Sequence, residues 1–144
     1  MKIPSVIGAA LIWLAVSVGA AHAAGEDVFV VPRVPVQATG DTATAAKERA
    51  QGSGRRHAMD ILLRRLTPEE DWVYLPTLAV GSEASASGDG LGKSAISISP
   101  QQLVALESGF EVYGEKASST SYRAYITYRF KPDAVRRLLK EARL

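Results

Sequence analysis

The residues best suited to chemistry are few. His57 has Asp60 three positions on, close enough to meet across one helical turn, and a carboxylate that orients an imidazole is a usable fragment of an acid–base or metal site. His22 is the only other histidine and there is no cysteine, so disulfides and thiolate metal centres are excluded, and nucleophile–histidine triads have little to build on. The pair is therefore expected to be a histidine at the margin of a packed helix face, making one hydrogen bond. Glu69, Glu70 and Asp71 could supply paired carboxylates for a hydrolase, which needs one raised pKa and a separation of about 5–10 Å across a cleft. Three adjacent acids after Pro68 read instead as a solvated helix start aligned with the dipole.

Ser87-Gly88-Asp89-Gly90-Leu91-Gly92-Lys93-Ser94 resembles the end of a phosphate-cradling loop, but Ser87 stands where that pattern needs glycine. Glu83–Ala86 before it is no strand, and Ile96-Ser97-Ile98 with Pro100 after it is no helix, so nucleotide binding is not expected. Residues 81–95 read as a flexible Gly/Ser loop within one domain. Arg136, Lys140 and Arg143 could make peripheral contact with anionic lipid, although cations in the last turns of a helix are expected from the macrodipole anyway. Acids and bases nearly balance, at a net charge of +2 with no strongly basic tract, which argues against a nucleic-acid partner. No catalytic residue, metal ligand set or cofactor is assigned.

These residues need elements to position them. Val28–Val36 is rich in β-branched residues and predicts a strand, with Pro32 and Pro35 demanding an edge or a bulge. Asp41 or Thr42 should cap a long helix running to about Leu66, ended by Thr67-Pro68. Its small stripe Ala46, Ala50, Gly54 would let the backbone lie close to a sheet, and a kink or weak turn is expected around Gln51–Gly54. Trp72–Pro76 reads as an apolar cluster capping the core. Ser99-Pro100-Gln101-Gln102 carries a capping box, opening a short helix that ends at Ser108-Gly109.

Phe110–Lys116 and Ser121–Lys131 form a hairpin around Ala117–Thr120. Alternation puts Tyr122, Ala124, Ile126, Tyr128 and Phe130 on the core face, and Arg123, Tyr125, Thr127 and Arg129 on the other. Glu111, Glu115, Arg123 and Arg129 are expected to pair across the hairpin. Pro132 starts a final helix with Val135, Leu138, Leu139 and Ala142 as its apolar stripe. The fold class is α+β: a small antiparallel sheet of the N-terminal strand plus the C-terminal hairpin, with the long Ala-rich helix and the C-terminal helix packed on one face.

The valine-rich strand, the Ala-rich helix ending Ile61–Thr67, and Tyr122–Phe130 followed by Val135–Leu139 resemble a family of proteobacterial exported proteins of unknown function. Members of that family are typically longer, which implies that this chain is a short variant or an amino-terminal piece. The resemblance implies a location and no activity.

Lys2, the uncharged run Ile3–Ala21 and Ala21-His22-Ala23 have the layout of a cleavable export signal. The mature domain, residues 24–144, is thus expected in the periplasm; the alternative is an inner-membrane anchor through residues 3–21. The leading function is a non-catalytic module that binds or scaffolds an envelope protein, or self-associates, using Tyr113, Tyr125, Arg123 and Arg129 on the outer face of the hairpin. The alternatives are a periplasmic carboxylate-dependent hydrolase, or a fragment of a longer protein whose activity lies elsewhere. Intact-mass measurement on protein from a periplasmic extract should give a chain that starts at Ala24; recovery of the full-length chain from the inner membrane would establish the anchor instead.

Overall fold

The computed structural model describes residues 27–79 and 96–144. The export signal, and the Gly/Ser loop with Ser87–Ser94, lie outside the described residues. A short 3-10 turn, Asp27–Phe29, leads into strand β1 (Val30–Thr39), followed by helix α1 (Ala43–Leu66) and a second 3-10 turn (Glu69–Tyr74). Two short strands, β2 (Thr77–Leu78) and β3 (Ser97–Ile98), precede helix α2 (Pro100–Leu106), the hairpin β4 (Glu107–Ala117) and β5 (Ser121–Phe130), and helix α3 (Pro132–Glu141). The main sheet is antiparallel in the order β1-β5-β4, so the last strand is central and both others are edges. This is the α+β arrangement that the alternation implied.

Helix α1 starts where Thr42, in an extended conformation, accepts the Ala45 N–H at 3.1 Å. It ends where Thr67, extended ahead of Pro68, turns its hydroxyl back to the Leu63 carbonyl at 2.8 Å. Its buried residues Ala46, Ala50, Gly54, Ala58, Leu62 and Leu63 share a stripe facing β1 and β5. The core they complete contains Val31, Val34 and Val36 of β1, Tyr122, Ile126, Tyr128 and Phe130 of β5, and Val135 and Leu139 of α3. Among the described residues no helix is long and apolar enough to cross a bilayer.

The small-residue stripe has one tight point. A methyl group on Gly54 would lie 2.3 Å from a Val36 methyl and 2.6 Å from the Tyr128 hydroxyl, which itself donates to the Gln51 carbonyl at 2.8 Å. Burial holds the Tyr128 phenol well above its ordinary pKa, so it remains a donor. Where a kink or weak turn is expected, at Gln51–Gly54, the helix assignment is continuous through one 24-residue element. Packing against the sheet outweighs the weak propensity of two glycines, each worth about 1 kcal/mol against alanine.

Two further expectations are corrected, and one pairing is new. Val73 and Tyr74 are exposed, so Trp72–Pro76 does not cap the core as a block; only Pro76 is buried, while the Arg64 guanidinium lies 4.9 Å from the centre of the half-buried Trp72 ring. The parallel pairing of Thr77 with Ser97 and of Leu78 with Ile98 was not anticipated. The short helix stops at Leu106, and Glu107–Gly109 already belongs to β4.

The two glycines of α1 should respond oppositely to the same change. A methyl on Gly52 meets nothing within 4 Å, so Gly52→Ala should stabilise by about 0.5–1 kcal/mol. Gly54→Ala should destabilise by about 1–3 kcal/mol or more through overpacking against the sheet. Urea unfolding of both variants checks this, with midpoints moving up and down respectively.

Candidate functional site

Helix α1 covers one face of the sheet, while the other leaves Tyr113 and Tyr125 exposed. Cross-strand register builds this open face in rows. Val30, Arg129 and Gly109 form one row; Glu111 stands opposite Thr127; Pro35, Tyr125 and Tyr113 form the next; Gln37, Arg123 and Lys116 form another. The four residues expected there, Tyr113, Tyr125, Arg123 and Arg129, do share this face. Tyr113 and Tyr125 are direct cross-strand neighbours, 44% and 54% exposed.

The Arg129 end of the face is internally satisfied. Arg129 donates to one Glu111 carboxylate oxygen at 2.7 Å, and the Tyr113 hydroxyl donates to the other. The Tyr113 hydrogen bond, followed by Arg129, holds the Glu111 carboxyl below its usual pKa. The same hydrogen bond to a carboxylate pushes the Tyr113 phenol up. Thr127, expected to point outward among these polar groups, is buried because the β1 backbone comes over it, with the Arg33 N–H donating to its hydroxyl at 3.2 Å. That contact is made by a bulge between Val31 and Val34, where Arg33 takes a positive φ of 51°.

A second bulge reorganises the other end. Between Tyr113 and Lys116 the ladder skips a residue, and Gly114 takes φ 61°, the left-handed conformation that glycine reaches without strain. Parity along β4 therefore reverses after Tyr113. Glu115, which strict alternation would place beside Tyr113 and Glu111, turns to the helix side and accepts from Lys47 of α1 at 2.8 Å. Lys116 takes its place opposite Arg123. Of the four charges expected to pair across the hairpin, Glu111 and Arg129 do so, whereas Glu115 pairs with Lys47 and Arg123 faces Lys116. A hollow of about 440 Å³ lies on the open face here, bordered by Pro35, Gln37, Gly114, Lys116, Arg123 and Tyr125.

The remaining candidates do not assemble. Asp60 pairs with Arg64 at 2.9 Å across one turn, and His57, expected at the margin of a packed face, is exposed. Glu69 and Glu70 are exposed on their 3-10 turn, with Asp71 half-buried. Arg136 reaches Asp133 at 3.3 Å and lies over the Phe29 ring, while Lys140 and Arg143 are exposed. Among the described residues, no three His, Asp or Glu side chains gather as a metal set.

Two features escaped the sequence reading. Arg55 of α1 and Glu107 of β4 form an ion pair whose side chains are only 14% and 9% exposed. Nothing local links residues 52 positions apart, so no spacing rule could have found it. The bulge did carry a signal, an isolated glycine inside a strand pattern. Comparison with protein-family models, with curated proteins and with solved structures finds no match to this chain.

The Glu111 network gives a pH prediction. A lowered carboxyl pKa adds stability that is present above the unfolded value near 4.5 and is lost as pH falls through the folded value. The raised Tyr113 phenol adds stability that is present below its unfolded value near 10 and is lost as pH rises through the folded value. Carboxyl titration followed by NMR should give Glu111 a midpoint below that of an ordinary glutamate, and Tyr113→Phe should raise it; an unchanged midpoint would mean that the hydroxyl does not reach the carboxylate in solution.

Proposed function

We propose that this chain is a non-catalytic binding module of the cell envelope, exported through its amino-terminal segment, which takes up a partner on the open face of its sheet. The carrying observation is the pair Tyr113 and Tyr125, directly opposite each other and about half exposed on the sheet face away from α1. Aromatic side chains with an arginine rim are the composition that interface hot spots use. Export is supported by the charged start, apolar run and Ala-x-Ala of residues 1–23.

The disposition of the acids supports binding over acid–base work. Asp60, Glu107, Glu111, Glu115 and Asp133 each make an ion pair with an arginine or lysine, so their oxygens are committed to contacts within the fold. Around the tyrosines, among the described residues, the face carries Arg33, Lys116, Arg123 and Arg129 against Glu111, so the complementary partner surface is anionic.

Co-purification from envelope extract, comparing the parent with the Tyr113→Ala, Tyr125→Ala double variant, tests this reading. The double variant should lose the co-purifying partner while its melting temperature falls only slightly. Capture that is indifferent to both substitutions would defeat the proposal. So would a loss of stability comparable to that of Ile126→Ala, which removes a fully buried side chain at a cost of about 2–5 kcal/mol and would mark the tyrosines as core.

A further inference from the structure

The open face is unevenly charged, and the bulge at Gly114 is the origin. Lys116 and Arg123 stand directly opposite each other on the β4–β5 ladder. Like charges in that position cost stability unless something lies between them. Neither has an ion-pair partner among the described residues: Glu111 is held by Arg129 and Tyr113, and Glu115 by Lys47 on the helix side. The two cations sit in the hollow of about 440 Å³, within the roughly 300–1,000 Å³ that small-molecule sites occupy.

We infer that this hollow is a site for a small organic oxyanion, a carboxylate or phosphate monoester carried on a flat apolar body. The inference rests on reading the open face as a binding surface, and it names a ligand class for it. Gln37 lies opposite Arg123 on the β1 side, so an amide, a guanidinium and an ammonium form one row across all three strands. A guanidinium donates two parallel N–H bonds to an oxyanion, and an ammonium adds a point charge. The neighbouring row offers the rest of the ligand a surface: the half-exposed Tyr125 ring beside Pro35. Gly114 keeps the approach to that ring open, because a side chain there would begin 3.8 Å from it. Charge selects the head of the ligand, and the ring selects a flat tail.

Amide shifts of the ¹⁵N-labelled full chain, titrated separately with phenyl phosphate, benzoate, inorganic phosphate and phenol, test the site. Phenyl phosphate and benzoate should saturate shifts at Gly114, Lys116, Arg123 and Tyr125. Inorganic phosphate, lacking the ring, should bind about tenfold more weakly, and phenol should not saturate. Lys116→Glu should lower the affinity for phenyl phosphate at least about tenfold through the lost charge-assisted contact. Its melting temperature should not fall, because the substitution turns a like-charge pair into an opposite-charge one; a loss of binding that merely reflected damage to the fold would lower it. Shifts that do not saturate, or affinity unchanged in both Lys116→Glu and Arg123→Gln, would overturn the inference. If the oxyanions fail to bind while partner capture still depends on Tyr113 and Tyr125, the ligand class falls and the binding face stands. If they bind while capture ignores both tyrosines, the anion site stands and the partner reading falls.

Discussion

A helix can approach a sheet only as closely as its side chains permit, and at Gly54 of this chain there is none. Val36 and Tyr128 occupy the space that a side chain would need. With the helix axis drawn in at that point, the longer side chains at the margins of its stripe reach all three strands. Arg49 donates to the Thr39 carbonyl, and Arg65 to those of Val28 and Val30, at 2.9–3.0 Å, which ties both ends of β1 to the helix. Lys47 and Arg55 reach Glu115 and Glu107 of β4 on the opposite edge. Tyr128 joins central β5 to the Gln51 carbonyl. One helix thus clamps a three-stranded sheet across its full width, so the other face need not be covered for the sheet to hold.

Both edges of that sheet carry bulges, with separate consequences. On β1, Pro32, Pro35 and the positive φ of Arg33 interrupt the outward row of N–H groups, which hinders edge-to-edge association. The left-handed Arg33 costs of order 1 kcal/mol, offset by the hydrogen bond from its N–H to Thr127. On β4 the Gly114 bulge moves an acid from the open face to the helix and brings a base in its place. The charge distribution of the exposed surface is thereby a product of backbone geometry as much as of composition.

Periodicity made the architecture legible. Alternation from Tyr122 to Phe130 identified the core face of β5, the Thr42 and Ser99 caps located two helix starts, and the small stripe of α1 anticipated its close approach. What was not legible depends on separations that no local pattern encodes. The Arg55–Glu107 pair joins α1 to the start of β4 across 52 positions of sequence. Glu115 and Arg123 do not join the cross-hairpin pairing because counting by twos assumes an unbroken ladder, although Gly114 hinted otherwise. The parallel contact of β2 with β3 rests on two residues per strand, too few to leave a period.

The two ends of the open face differ in how much freedom a partner would remove. Tyr113 and Arg129 already share the Glu111 carboxylate, so their side chains are ordered before any contact and lose little entropy on binding. Their polar atoms are correspondingly committed, which leaves the Tyr113 ring to contribute shape and apolar area more than hydrogen bonds. Lys116 and Arg123 are the reverse: long, exposed, mutually repelling and unpaired among the described residues, they lose more freedom on binding but gain the relief of that repulsion. A rigid aromatic anchor beside an unsatisfied cationic pair is therefore an asymmetric surface, with its specificity for charge concentrated at the end that the Gly114 bulge created.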